Sequence, residues 1–198
     1  MKKKVLIYLF ALCSLTSFAQ DKASLTKEET VNYLKKKINE IDGHYRTPGG
    51  LTNRLYFKNT SFDLDNNLLQ LKTTRKNMLE EFGGNCGYFE NVNITWFNPA
   101  HIKDIILVEP NLGEPVGLVK ITLIGKVGRD IQEAYAYQKQ NSNTGNCYNW
   151  ERSDLKEYSV SEISIPFLAT DPSNFNKMKK ALEYLRDLYK AEDDPFGN

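Results

Sequence analysis

The first strong pattern in the chain is an apolar stripe with the three- and four-residue spacing of an amphipathic helix. Its members are Val31, Leu34, Ile38 and Ile41. Thr26 and Glu29 stand where a capping box would start such a helix, and Gly43 stands where it would stop. The pattern therefore predicts a helix over residues 26–42.

A second stripe of the same period lies near the end of the chain. Its members are Phe175, Met178, Leu182, Leu185 and Tyr189. Asp171 suits the N-cap and Pro172 the first helical position. We expect this helix to pack its apolar face on a β-sheet. We expect residues 191–198, which include three acidic residues, to form a tail.

Between the two stripes the hydrophobic period changes to two, which is typical of strands with one buried face. The segments concerned are 55–57, 62–64, 69–73, 91–97, 105–108, 117–124, 133–138 and 158–169. Residues 76–82 are ambiguous, and 139–153 have the composition of a long polar loop. Strands do not alternate with helices, so a parallel doubly wound fold is not expected. The sequence predicts an α+β domain with an N-terminal helix, about seven mostly antiparallel strands in a barrel or curved sheet, and a C-terminal helix packed on the sheet.

The start of the chain has the pattern of an export signal. Basic residues 2–4 precede an apolar run at 5–15, which is too short to remain as a membrane anchor. We expect cleavage between Ala19 and Gln20, leaving residues 20–198 as one domain in the periplasm or secreted, without a transmembrane segment. An uncleaved anchor and a lipoprotein signal at Cys13 are the alternatives.

The net charge of the chain bears on whether nucleic acid is an expected partner. The formal net charge of the 198-residue chain is +1. Loss of the three lysines at positions 2–4 with the signal changes it to −2. No basic excess remains in the processed chain, so nucleic acid is not an expected partner.

Two cysteines remain after processing, Cys86 and Cys147, and each follows a Gly-Asn pair. An even number of cysteines in an exported chain predicts a disulfide. This bridge would close a loop of about 60 residues and stabilise the fold by about 4 kcal/mol in the chain-entropy model. Two free buried thiols are the alternative.

Catalytic chemistry has little support in the sequence. The motifs of zinc proteases, phosphate loops, nucleophile elbows and Cys-x-x-Cys redox sites are absent. His44 and His101 lie near turns, where surface histidines are common, although His101 and Asp104 are spaced to share a helix face. We predict no catalytic residue, no metal site and no cofactor.

A binding surface has more support. Tyr137, Tyr148 and Trp150 lie in or beside the Asn- and Ser-rich stretch around Cys147. Amphipathic aromatic residues among small polar ones are typical of surfaces that recognise proteins or sugars. The alternative is that Trp150 closes one end of the barrel.

The order of elements resembles that of pleckstrin-homology-like barrels, in which seven antiparallel strands precede one C-terminal helix. Residues 99–105 look like the approach to a mid-barrel strand, and 163–167 with 175–188 look like the last strand and closing helix. The resemblance covers about residues 50–190, and the helix at 26–42 lies outside the standard pattern. A cystatin-like or other helix-on-sheet fold is the alternative. The final segment also looks like the ends of many exported bacterial proteins.

The resemblance implies a binding role, since relatives of this barrel bind phosphoinositides, peptides or proteins. The clustered basic residues of phosphoinositide binders are not visible here. The basic residues of that region, which are spread out, are Arg54, Lys58, Lys72, Arg75 and Lys76. We therefore expect a non-catalytic binding domain of the cell envelope, whose partner is an envelope protein or a small ligand. An envelope hydrolase that uses carboxylates or His101, and a small lipid carrier, are the alternatives.

Overall fold

The α+β fold is confirmed. The computed structural model describes residues 25–47, 54–78, 88–136, 139–140, 147–148 and 155–193. These residues form two helices and mostly antiparallel strands in a six-stranded sheet, a three-stranded sheet and a short two-stranded pair. The strands of the described residues do not close into a barrel, so the curved-sheet form of the prediction applies.

The helices are α1, Lys27–Asn39, and α2, Ser173–Asp193. The first strands are β1 at Tyr45–Arg46, β2 at Leu55–Asp65, β3 at Leu68–Met78, β4 at Tyr88–Phe97 and β5 at Ile102–Val108. The later strands are β6 at Val116–Leu123, β7 at Gly128–Ala136, β8 at Lys139–Gln140, β9 at Cys147–Tyr148, β10 at Lys156–Val160 and β11 at Glu162–Leu168. No helix in the described part of the chain is long and apolar enough to cross a membrane.

The capping box predicted for α1 is present. The Thr26 hydroxyl accepts from the Glu29 amide at 3.1 Å, and the Glu29 carboxylate accepts from the Thr26 amide at 2.7 Å. Helix α1 ends at Asn39, and Gly43 follows with a φ of +84°, a left-handed conformation that favours glycine. The predicted start signal therefore acts on this helix, whereas the predicted end at 42 is wrong, because the helix ends at Asn39 and residues 40–43 form a turn.

Helix α2 begins one residue later than predicted. Asp171 Oδ1 accepts from the Ser173 amide at 2.8 Å and from the Ser173 hydroxyl at 2.6 Å. Pro172 thus lies inside this turn, before the helix, and Ser173 is the first helical residue. The five residues of the predicted stripe face the interior, because Met178, Leu182, Leu185 and Tyr189 are buried and Phe175 packs against them.

The six-stranded sheet has the order β1-β2-β3-β4-β7-β10, and the three-stranded sheet has the order β11-β6-β5. Helix α1 lies along β2, and α2 packs on the turn at Pro99–His101. Both helices and both sheets contribute to one main core. The core therefore joins the two sheets into one unit.

Two neighbouring stretches of chain connect the larger sheet with the smaller one. One runs from β6 to β7, and the other runs from β10 to β11. The predicted strand 158–169 is in fact two strands, β10 and β11, separated by Ser161. The chain opposite makes the same crossing, since β7 pairs with β10 and β6 pairs with β11. At the crossing the Leu123 amide donates to the Ser161 carbonyl at 2.8 Å. The apolar alternation changes phase at this point, from Tyr158 and Val160 to Ile163, Ile165 and Phe167, and the single-strand prediction overlooked this signal.

Two further assignments differ from the prediction. The ambiguous stretch at 76–82 continues strand β3 as far as Met78. The predicted loop at 139–153 contains the short strands β8 and β9, which pair through Lys139 with Tyr148 and Gln140 with Cys147. In both places polar residues obscure the strand pattern.

The two ends of the described chain meet. Lys27 Nζ lies 3.0 Å from Glu192 Oε2 and 3.7 Å from the centre of the Tyr189 ring. The hydroxyl of Tyr184 donates to the Leu25 carbonyl. These contacts place the start of α1 beside the last turns of α2.

Candidate binding site on the inner face of the sheet

The inner face of the six-stranded sheet, which faces the core, changes from apolar to polar along its central strands. Leu69 and Leu71 of β3 belong to the core. Two and four residues beyond Leu71 on the same strand stand Thr73 and Arg75. Since side chains alternate across a strand, all four project from the same face. The apolar core thus gives way to polar side chains within one strand.

The neighbouring strands continue this polar surface. Strand β4 contributes Asn91, Asn93 and Thr95, and β7 contributes Asp130 and Gln132. Thr95 stands opposite Asp130 in the sheet, and Asn93 stands opposite Gln132. We call the whole set the polar patch: Thr73, Arg75, Asn91, Asn93, Thr95, Asp130 and Gln132.

Asp130 is the buried anion of the polar patch, with 8% of its surface exposed. Its Oδ1 accepts from the Thr95 hydroxyl at 2.7 Å. Its Oδ2 accepts from Asn93 Nδ2 at 3.3 Å and from Gln132 Nε2 at 3.2 Å. Each carboxylate oxygen therefore has a donor, as a buried carboxylate requires.

Arg75 is the half-buried cation of the polar patch, and its hydrogen bonds are less complete than those of Asp130. Its Nη2 donates to Asn93 Oδ1 at 2.8 Å and more weakly to Asn91 Oδ1 at 3.4 Å. Its Nε is buried and has no hydrogen-bond partner among the described residues. Burial lowers the pKa of Arg75, and the charge of Asp130 opposes that effect. An arginine side chain nevertheless stays protonated in proteins, so the site holds a positive charge with one unused donor.

A cavity of about 200 Å³ lies beside the polar patch. One wall consists of Leu71 and five members of the polar patch, and the other consists of residues from the β10–β11 crossing, including Val160 and Ile163. The five members are Thr73, Arg75, Asn93, Thr95 and Asp130. Glu162 and Ser164 also line it and are exposed, so they form its rim. The volume is below the roughly 300–1,000 Å³ of pockets for drug-sized ligands, which suits a small molecule.

A second recess, of about 360 Å³, contains His101, Trp96 and Arg129. Trp96 Nε1 donates to Asp65 Oδ2 at 3.2 Å, and the Arg129 guanidinium lies 5.1 Å from the centre of the Trp96 ring. His101 is half-buried rather than on the surface, and its Nδ1 has no partner among the described residues. The described residues thus supply no carboxylate that orients His101 as a general base.

The spacing of His101 and Asp104 does not place them on one helix face. His101 ends a short 3-10 turn, whereas Asp104 is an exposed residue of strand β5. Asn98 caps that turn, and its side chain accepts from the Ala100 amide at 2.9 Å. The predicted break after β4 is therefore real, but the shared face is wrong.

A third recess is an apolar groove of about 430 Å³ between the two helices. Its walls include Leu25, Tyr33 and Ala181, and Lys177 and Lys180 are also among its lining residues. The Tyr33 hydroxyl is buried without a hydrogen-bond partner in the described structure, and burial raises its pKa. The groove is a surface feature between helices rather than a cavity inside the sheet.

Most of the predicted site residues lie outside the described part of the chain. Cys147 and Tyr148 form β9, and their side chains are not among those described. The residues wholly outside are Ala19, Gln20, Cys86, Tyr137 and Trp150. The disulfide, the cleavage site and the aromatic surface therefore stay predictions.

The polar patch was missed in the sequence, where Arg75 counted only as one of several scattered basic residues. A usable signal exists in β3, since Thr73 and Arg75 continue the phase of Leu69 and Leu71. A charged residue in the phase of a buried run indicates an interior polar site. The partners on β4 and β7 are visible only once the strand register is known.

Within the described residues, no group of three or more His, Cys, Asp or Glu side chains is placed to hold a metal ion. The polar patch is instead a set of fixed donors and acceptors around one half-buried arginine and one buried aspartate. Comparison with known proteins gives no relative, since no protein-family model, no curated protein and no solved structure matches the chain.

Proposed function

We propose that the protein is an exported, non-catalytic binding domain of the cell envelope, and that a small ligand occupies the cavity beside the polar patch. The observation that carries this proposal is Arg75, a half-buried side chain that lines a cavity and whose buried Nε lacks a partner among the described residues. A buried donor without a hydrogen-bond partner costs free energy. A bound ligand gives that donor a partner.

The position of the polar patch suits binding. Its residues lie on β3, β4 and β7, which are interior strands of the six-stranded sheet. Side chains on central strands are held more firmly than side chains on loops, and a preorganised site loses less entropy when a ligand binds. The wall of the cavity that these strands form is therefore held in place before a ligand binds.

The chemistry of the polar patch favours binding over catalysis. Its residues, as defined above, include no His, Cys or Lys, the side chains that most often serve as bases or nucleophiles. Donors and acceptors at fixed positions suffice for recognition.

Native mass spectrometry of the exported protein tests this proposal. The full chain is expressed with its own first 24 residues in a Gram-negative host, purified from the periplasm, and incubated with a small-molecule extract of envelope and medium. We expect a stoichiometric adduct that is released on denaturation. Its absence at saturating extract would contradict a small-ligand site.

A matched pair of variants locates the ligand. Ser164→Tyr places a ring at the rim of the cavity, whereas Ser159→Tyr makes the same change at an exposed serine of β10 that does not line it. We expect Ser164→Tyr to lose the adduct and Ser159→Tyr to keep it. Equal retention by both variants would place the ligand elsewhere.

The groove between the helices supports the lipid-carrier alternative, since it is apolar and has lysines among its lining residues. Extraction of the same preparation with organic solvent distinguishes a small-ligand binding domain from a lipid carrier. A co-purified lipid that survives Ser164→Tyr would favour a carrier. The aromatic surface of Tyr137, Tyr148 and Trp150 stays a prediction for recognition of an envelope protein.

A further inference from the structure

We infer that the cavity ligand is a small monocarboxylate, whose carboxylate binds the Nε edge of Arg75 and whose second polar group donates a hydrogen bond to Asp130. The inference rests on the proposed function, because it names the class of ligand for the same cavity. It follows from the charges that line the cavity and from their separation.

The first step is the sign of the charge. The hydrogen-bond partners of Arg75 are the neutral amide oxygens of Asn93 and Asn91, and no described carboxylate hydrogen-bonds to it. Asp130 acts on Arg75 through its charge, with Asn93 between the two side chains. A neutral acceptor would satisfy the unused Nε, whereas an anion would also form a direct ion pair with the guanidinium.

The second step is the kind of anion. Arginine presents neighbouring N–H groups in a planar fork that matches both oxygens of a carboxylate. Asp130 and Glu162 line the same cavity and oppose any further negative charge. A phosphate monoester carries about −1.5 to −2 at neutral pH, so a carboxylate with one charge fits better.

The third step is the second polar group. Asn93 spaces the two charges, because it accepts from Arg75 at 2.8 Å and donates to Asp130 at 3.3 Å. An ionised aspartate only accepts hydrogen bonds, so the ligand group that meets it must be a donor. A hydroxyl or an ammonium near the carboxylate meets this need, and a cavity of about 200 Å³ has room for a molecule of that size.

The test measures binding of four defined probes to the full exported chain after extensive dialysis. The probes are acetate, glycolate, glycine and inorganic phosphate, each titrated by isothermal calorimetry in a carboxylate-free, phosphate-free buffer. We expect glycolate or glycine to bind at least about tenfold more tightly than phosphate, since phosphate meets two acids. We also expect acetate to bind more weakly than the better of the two, because it offers Asp130 no donor.

Arg75→Lys and Arg129→Lys provide a matched pair of variants. Lysine keeps the charge but loses the fork, so we expect Arg75→Lys to weaken binding of the best probe at least about tenfold. Arg129 is on the other face of the same sheet, exposed and paired with Glu157, and its replacement should leave the affinity unchanged. If Arg75→Lys does not fold, the order of affinities in the wild-type protein decides the question alone.

Each outcome bears on one part of the inference. Phosphate binding tighter than every carboxylate would overturn the carboxylate class, and acetate binding as tight as glycolate and glycine would overturn the contact to Asp130. If no probe binds while the native adduct persists, the inference fails and the proposed function stands. If no probe binds and no adduct forms, both fail.

Discussion

Asn93 lies between Arg75 and Asp130 and hydrogen-bonds to both. Its Oδ1 accepts from the guanidinium at 2.8 Å and its Nδ2 donates to the carboxylate at 3.3 Å. The two neighbours fix the orientation of the amide, because one is purely a donor and the other purely an acceptor. The opposite charges are therefore separated by one amide group along the same wall of the cavity.

Thr95→Val tests the hydrogen bonds of the buried carboxylate. Valine keeps the shape of threonine but removes the hydroxyl that donates to Asp130 at 2.7 Å. We expect the free energy of unfolding to fall by about 1–3 kcal/mol in urea titration, since a buried acceptor loses a donor. The same change in an Asp130→Asn background should cost less, and equal costs in both backgrounds would show that the two side chains are not coupled.

Gly128→Ala tests the close approach at the crossing between the sheets. A Cβ at this position would lie 2.8 Å from Val160 Cγ2 and 3.1 Å from the Val160 carbonyl oxygen. We expect a loss of about 1–3 kcal/mol in unfolding free energy from overpacking. Addition of Val160→Ala should recover part of this loss in a double-mutant cycle, and a Gly128→Ala protein as stable as wild type would contradict the geometry.

Glu29→Gln tests the capping box through its dependence on pH. A backbone hydrogen bond from Thr26 lowers the pKa of Glu29 below its ordinary value of 4.5. A lowered folded pKa adds stability above the unfolded value, and that stability is lost as the pH falls through the folded value. Urea midpoints at pH 7 should therefore be lower for Glu29→Gln than for wild type, and the difference should shrink below pH 4.

Glu28→Gln is the control for that measurement, since Glu28 lies in the same first turn of α1 and its side chain makes no hydrogen bond within the described residues. Its urea midpoint should differ less from wild type at pH 7. A Glu29→Gln effect that persists unchanged at low pH would mean that the carboxylate charge is not its source.

The Cys86–Cys147 disulfide is tested by intact mass. Exported protein is alkylated with and without prior reduction, and we expect two added alkyl groups only after reduction. Reduction should also lower the free energy of unfolding by about 2–5 kcal/mol. Two alkylated thiols in the unreduced sample would rule the bridge out.

The export signal is tested by the N-terminus of the processed protein. The pattern of residues 1–19 predicts that the periplasmic form starts at Gln20. Intact mass and N-terminal peptide mapping of that form should both give this start. A blocked, lipid-bearing Cys13 or retention of residues 1–19 would support one of the two alternatives.

The helices and most strands could be predicted because their patterns are local. The Thr26 capping box and the stripe from Met178 to Tyr189 need only neighbours within a few residues. A change of apolar phase marks the break at Ser161, but which sheet each half of the stretch joins depends on which strands pair. Local periodicity predicts whether a segment is a helix or a strand, whereas strand pairing determines which sheet a strand joins.

The polar patch shows the limit of reasoning from hydrophobicity. In β4 the apolar residues Ile94 and Trp96 occupy one phase and the polar Asn93 and Thr95 the other. Hydrophobicity alone would direct Ile94 and Trp96 to the interior, yet Thr95 is buried beside Asp130. The phase is set by Phe97 at the strand end and by the register with β3, and neither is evident from β4 alone.

The contact between Lys27 and Glu192 joins residues 165 positions apart, so the first helix rests on the last. In a chain emerging with its N-terminus first, the apolar stripe of α1 could pack on β2 early, but its contact with α2 would form only when nearly the whole chain had appeared. Contacts of such long sequence separation slow folding, because the intervening chain must be ordered before they form. Completion of this core therefore waits for the C-terminal helix, and a shortened chain ending before residue 173 would leave α1 packed on β2 without the contact that α2 supplies.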